Sequence, residues 1–146
     1  MNEILADQLL EAYAHGIFPM SDTRSADTFH WVQPKRRGVL FLDSFHVPTS
    51  LKKILKKQNL QIRIDHAFEQ VITGCAERTK DRPETWINDQ IINVYSELFV
   101  KGLVHTVETW DSSELVGGVY GLSIGKVFFG ESMFSKEPNA SKIALC

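Results

Sequence analysis

Two cysteines in 146 residues, Cys75 and Cys146, are too few for a disulfide framework, and neither they nor the five histidines show metal-ligand spacing. No Ser-His-Asp or Cys-His arrangement can be assigned, so covalent catalysis has little support. No apolar run approaches the roughly 20 residues that a membrane-crossing helix needs. The first residues carry Glu3 and Asp7, not a basic-then-apolar leader, so the expectation is a cytoplasmic protein without membrane attachment. An excess of one charge is also lacking. Sixteen Lys and Arg against 18 Asp and Glu leave a net charge of -2, which argues against coating nucleic acid over the whole surface but allows a local basic patch. Repeats and low-complexity segments are absent.

The hydrophobic fraction, 43%, is ordinary for a globular chain with one substantial core or two small ones. The segment from Leu115 to Ser135 carries the most information. Its apolar residues alternate as two strands meeting at Ile124-Gly125-Lys126, with a single carboxylate, Glu131, in an otherwise apolar run. Gly117, Gly118, Gly121 and Gly130 remove side chains where another backbone or a ligand could approach. A carboxylate entering an apolar strand is costly unless paired, which leaves two readings, an enzyme site or a hairpin with a salt-bridged glutamate.

Elsewhere, helical spacing over residues 3–15 ends at Gly16, and residues 39–42 read as a short buried strand. Pro48 opens a helix that places Lys52, Lys53, Lys56 and Lys57 on one face, and Lys35, Arg36 and Arg37 form a second basic cluster. Residues 61–64 alternate as a strand. Asp65 is the expected N-cap of a helix with Phe68, Val71, Ile72 and Cys75 on one stripe, and Asn88 of another ending at Gly102. Residues 104–110 form a further strand. Periodicity alone supports an α+β class, divided near residues 61–65.

Gly117-Gly-Val-Tyr-Gly121, then Phe129-Gly-Glu-Ser-Met-Phe-Ser135, then Asn139-Ala-Ser-Lys142 closely resembles the leucyl/phenylalanyl-tRNA–protein transferase family. Ala14-His-Gly-Ile-Phe-Pro19, Trp31 with Pro34 and Arg37, and Glu84-Thr-Trp-Ile-Asn88 match in the same order. The resemblance spans nearly the whole chain. It implies a small mixed N-terminal domain, residues 1–62, followed by an incomplete acetyltransferase-like (GNAT) domain, residues 63–146. The implied reaction moves Leu, Phe or Met from a charged tRNA to a protein whose first residue is Arg or Lys, as in the N-degron route to protein degradation. The implied protein is a monomer. The acyl group arrives as an activated ester, so the resemblance implies no metal, redox cofactor or coenzyme A.

Residue by residue, Glu131 matches the family's strand glutamate beside the reacting amino group, and Val119 and Phe128 match positions lining an apolar side-chain pocket. Trp31 and Trp86 match tryptophans near the aminoacyl-adenosine end. Met133, Phe134, Trp110 and Cys75 are expected in packing. With a tRNA implied, the basic clusters become phosphate contacts.

The family pattern continues with an Asp-x-Gln strand and a His-x-x-Ser-x-Gly-Ala segment, neither of which occurs here. The expectation is therefore a C-terminally shortened member with weakened or lost activity. Two other readings remain. One is a tRNA-binding or regulatory remnant without catalysis. The other, a coenzyme A-dependent acetyltransferase, lacks its pyrophosphate loop and brings Glu137 where phosphate should sit.

Overall fold

Ile4, Ala6, Leu9 and Tyr13 recur at helical spacing and are buried, so the first helix α1 (Ala6–Ala14) presents one apolar stripe inward. Gly16, at a φ of +74°, turns the chain after it into a small hairpin, β1 (Phe18–Met20) and β2 (His30–Val32). The computed structural model describes residues 3–57 and 60–146.

Residues 39–42 are not the expected buried strand. Val39, Leu40, Phe41 and Leu42 are between 62% and 85% exposed, and the chain passes into a 3₁₀ turn at Leu42–Ser44. A β-prone run becomes a strand only where a neighbouring strand accepts its backbone hydrogen bonds, and among the described residues none is paired with this one. Helix α2 (Thr49–Lys57) follows Pro48 as expected, with Leu51 buried and Lys52, Lys53 and Lys56 turned outward.

The main sheet is antiparallel, in the order β3 (Leu60–Ile64), β4 (Val104–Asp111), β5 (Glu114–Ile124), β6 (Val127–Ser135). Because β3 pairs with β4 from Leu60 to Ile64, a division between residues 62 and 63 falls inside a strand. Helices α3 (Phe68–Ala76) and α4 (Asp89–Val100) cover one face, joined by α1, while the short α5 (Ala140–Leu145) lies on the other. Among the described residues no helix is long and apolar enough to cross a membrane. The architecture is mixed helix and sheet.

Alternation decides which strand residues reach which layer. Gly117 faces α5, where a Cβ would press against the backbone of Ala140 at 2.8 Å. Gly118 faces α3, where a Cβ would meet Val71 at 3.2 Å. Val119 therefore returns to the α5 face, and Tyr120 enters the core among Phe68 and Tyr95.

Two caps show how sequence and long-range contact divide the work. Asn88 caps α4 locally, its Oδ1 accepting from the Ile91 amide at 3.0 Å, and Gly102 (φ +71°) ends that helix. Asp65 does not cap α3. Its backbone is left-handed (φ 54°) and its carboxylate turns back to β4, accepting from the Thr106 amide at 2.8 Å and meeting the His105 ring at 2.7 Å. The first turn of α3 is instead met by buried Glu108, which accepts from the amides of His66 and Ala67 at 3.0 and 2.7 Å, from Thr106 Oγ1 at 2.8 Å and from Trp110 Nε1 at 3.1 Å. A carboxylate from a neighbouring strand accepts from the two amides that lead into the helix and lies near its positive end.

Candidate active site

The hairpin of β5 and β6 is not regular. Tyr120 stands opposite Ser132 and the next residue, Gly121, opposite Gly130, so Glu131 is an extra residue in β6. Such a bulge leaves one residue outside the ladder and re-aims its side chain. It explains a layer assignment that strict alternation forbids: Phe129, Glu131, Ser132 and Phe134 all turn toward the helices, whereas Phe128 and Met133 turn away.

On the helix side Glu131 meets tyrosines. The chain has three, and all three converge here from separate elements: Tyr13 of α1, Tyr95 of α4 and Tyr120 of β5. The hydroxyls of Tyr13 and Tyr95 hydrogen-bond each other, and the Tyr95 and Tyr120 rings pack edge to face at 5.4 Å. Phe129 packs edge-on against Tyr13 at 5.0 Å and closes the group from β6.

Burial raises the Glu131 carboxyl from an ordinary 4.5 to about 7, because an ionised carboxylate loses more by leaving water than a neutral acid does. The Tyr13 and Tyr95 hydroxyls and the Arg37 charge pull the other way and limit the rise. Burial, reinforced by the Glu131 charge, pushes all three phenols far above their usual range, so they remain neutral donors. Cys75, beside Ser132, is pushed up to about 12 by burial and is likewise neutral. A carboxyl that titrates near neutral pH can take or give a proton under ordinary conditions.

The expected site residues fall into three places. Val119 and Phe128 share the face opposite Glu131: Val119 is buried under α5, and the half-exposed Phe128 ring lies over Gly121, whose missing Cβ makes room for it. Glu131 and these two residues are thus separated by the thickness of one sheet. Among the described residues, β6 has β5 as its strand partner. Trp31, 41% exposed on β2, stands opposite Pro19 with its ring edge-on to Phe29 at 5.4 Å. Trp86 is partly buried and lines an open cleft of about 380 Å³ with Met20, Asp22, His30, Arg82 and Glu84, tied to the hairpin by Ser21 N–H donating to its carbonyl at 3.0 Å.

The basic residues also separate. Lys52, Lys53 and Lys56 are exposed on α2, while the Lys57 side chain lies outside the described residues. Lys35 and Arg36 are exposed after β2. Arg37 behaves differently from its neighbours, with its guanidinium 4.8 Å from the Phe18 ring and 5.9 Å from the Phe129 ring, at the mouth of the Glu131 group. Sequence reasoning did not join the tyrosines to Glu131. A signal existed, since Tyr13 and Tyr95 occupy core positions of their helices and a buried phenol needs a polar partner.

Residues 39–146 match the family model described as leucyl/phenylalanyl-tRNA protein transferase, and residues 2–35 match the model for that transferase's N-terminal domain. A leucyl/phenylalanyl-tRNA–protein transferase of Paramagnetospirillum magneticum is 54% identical over 145 residues, 99% of this chain and 69% of the relative. One of Rhizorhabdus wittichii is 48% identical over 145 residues, 99% of this chain and 58% of the relative. This chain therefore spans between about three-fifths and two-thirds of the relatives' length, and it belongs to the leucyl/phenylalanyl-tRNA–protein transferase family.

Proposed function

We propose that this chain builds the aminoacyl end of a leucyl/phenylalanyl transfer site along the β6 edge, on a sheet and helices that form part of an acetyltransferase-like (GNAT) fold. One observation carries the reading. A carboxyl poised near neutral pH, ringed by phenols, backs directly onto an apolar face of the same hairpin bearing Val119 and Phe128. A ligand bound at β6 presents an apolar side chain to one face and an amino group to the other. Leu, Phe and Met suit such a recess, and a methylene more or less there discriminates by only about 1–3 kcal/mol.

In the reaction this arrangement serves, the acceptor's α-amine forms an amide with the acyl carbon while the ester bond to the 3′ ribose oxygen breaks. The amine gives up a proton and the ribose oxygen gains one. Ionised Glu131 holds the reacting amino group, and the tyrosines hold Glu131. Trp31 and Trp86 supply aromatic faces for the terminal adenosine, and Lys35, Arg36, Arg37, Lys52, Lys53, Lys56 and Lys57 meet phosphates. The acceptor is a protein beginning with Arg or Lys, the setting is the cytoplasm, and the working unit is a monomer without a cofactor.

The exposed lysines of α2 favour a second reading, a tRNA-binding or regulatory remnant without catalysis. A filter assay following radiolabelled Phe from Phe-tRNA to an Arg-leading acceptor, run beside tRNA binding, separates the two. Binding that depends on the attached Leu or Phe, with transfer lost in Glu131→Gln, supports the transfer site. Salt-sensitive binding indifferent to aminoacylation supports the second reading and sinks the first.

A further inference from the structure

Three phenols surround Glu131, yet only two of their hydroxyls are paired. Tyr120 is 0% exposed and its hydroxyl has no hydrogen-bond partner among the described residues. Buried hydroxyls without partners are rare in folded proteins because their lost hydration is not replaced. Phenylalanine would keep the edge-on packing of this ring against Tyr95 at 5.4 Å and Phe68 at 6.5 Å while removing the unpaired group. The hydroxyl therefore calls for a use that the resting arrangement does not display.

Counting protons identifies that use. An ionised carboxylate can accept about four hydrogen bonds. Tyr13 and Tyr95 own two hydroxyl protons between them, and their mutual bond consumes one, leaving a single donor for Glu131. Ser132, the next residue, lies beside the Cys75 thiol. Tyr120, directly across from Ser132 and beside the bulge, holds the remaining unused hydroxyl. Glu131 stands outside the ladder on its bulge, so its side chain can turn toward that donor without breaking a strand bond.

We propose that Tyr120 is a positioning residue whose hydroxyl donates to Glu131 when that carboxylate is ionised. In the protonated state the hydroxyl waits unpaired; in the ionised state it fixes the carboxylate along the β6 edge. The other groups facing Glu131 are Tyr13 from α1, Tyr95 from α4 and Arg37 from the segment after β2, while Cys75 of α3 faces Tyr120; none of these supplies the missing donor. The inference rests on Glu131 being the carboxylate of the site, and its test contains no RNA, so its failure is distinguishable from failure of the transfer reading.

The test follows Glu131 by carboxyl-carbon NMR in the whole chain and in Tyr120→Phe, with urea midpoints at about pH 5.5 and about pH 8.5. Loss of the donor raises the Glu131 pKa by about one unit, a tenfold weaker ionisation. Tyr120→Phe is then at least as stable as the parent at the lower pH and less stable at the higher, and adding Glu131→Gln abolishes that crossover. A midpoint change equal at both pH values, or an unmoved Glu131 titration, overturns the proposal. If Tyr120→Phe does not fold, the ζ-carbon resonance of Tyr120 in the parent chain decides. Movement of that resonance with the Glu131 titration supports the donor role, and a flat response rejects it.

Discussion

Glu131→Gln tests whether the carboxyl is as strongly desolvated as its surroundings imply. An ordinary glutamate ionises at 4.5, whereas Glu131 in the fold ionises at about 7. Below 4.5 both folded and unfolded chains hold the proton, and the difference contributes nothing. Between these values the folded chain keeps a proton that the unfolded chain has released, so stability falls as pH rises, by up to about 1.4 kcal/mol per pH unit. Above 7 both are ionised and the loss is complete, about 3 kcal/mol in total.

Glutamine has the shape of the protonated acid and cannot ionise. The variant should match the parent near pH 4.5 and exceed it by about 3 kcal/mol at pH 8.5, while transfer activity falls. With a urea m-value of about 2 kcal/mol/M for a chain of this size, the midpoints should separate by about 1.5 M at the higher pH. Urea melts of both proteins across that range measure the separation directly. Parallel stability curves, offset by the same amount at every pH, would show that Glu131 titrates normally and refute the desolvation argument.

Other substitutions probe the frame that holds this site. Glu108→Ala leaves four donors without their acceptor, two of them buried side chains and two the amides that lead into α3, and should cost about 4 kcal/mol in a denaturant melt. Gly117→Val forces side-chain atoms into the backbone of Ala140 and should lower stability by about 1–3 kcal/mol, with α5 amides exchanging faster than those of α4 in a hydrogen-exchange experiment. Asn88→Ala removes the α4 cap and the side-chain bonds to the carbonyls of Ala26 and Thr28 at 2.9 and 3.1 Å, for a loss of about 1–2 kcal/mol; an unchanged melting curve would mean that the cap and the tie to Ala26 and Thr28 contribute nothing.

Features set by local chemistry were legible in the sequence. The Asn88 cap, the Gly16 and Gly102 stops, the Gly125 turn and the buried stripe of α3 all follow from residues within a few positions of one another. Features set by distant partners were not. The run at 39–42 has strand composition but no paired strand among the described residues, and the amides that lead into α3 find their acceptor in Glu108, about 40 residues away. Position in the chain marked Glu131 as unusual, but nothing local announced that Tyr13 and Tyr95, 82 residues apart, would close over it.

The two faces of β6 show why motif reading found the parts of a site without its shape. Strict alternation over residues 128–134 places Phe129 and Phe134 on opposite faces, because their positions differ by an odd number. Both are needed on the helix side, Phe129 against Tyr13 and Phe134 against Gly74, where a Cβ would lie 3.1 Å from its ring. Only an extra residue between them satisfies both contacts. Gly130-Glu131-Ser132 supplies it, and packing at the two ends of the strand thereby fixes where the irregularity falls. The carboxyl is consequently lifted out of the ladder at the one point where three phenols from three elements can reach it, while Phe128 and Val119 remain on the other face. Core packing and site geometry at β6 are therefore one constraint, and a substitution that regularised the strand would disturb both at once.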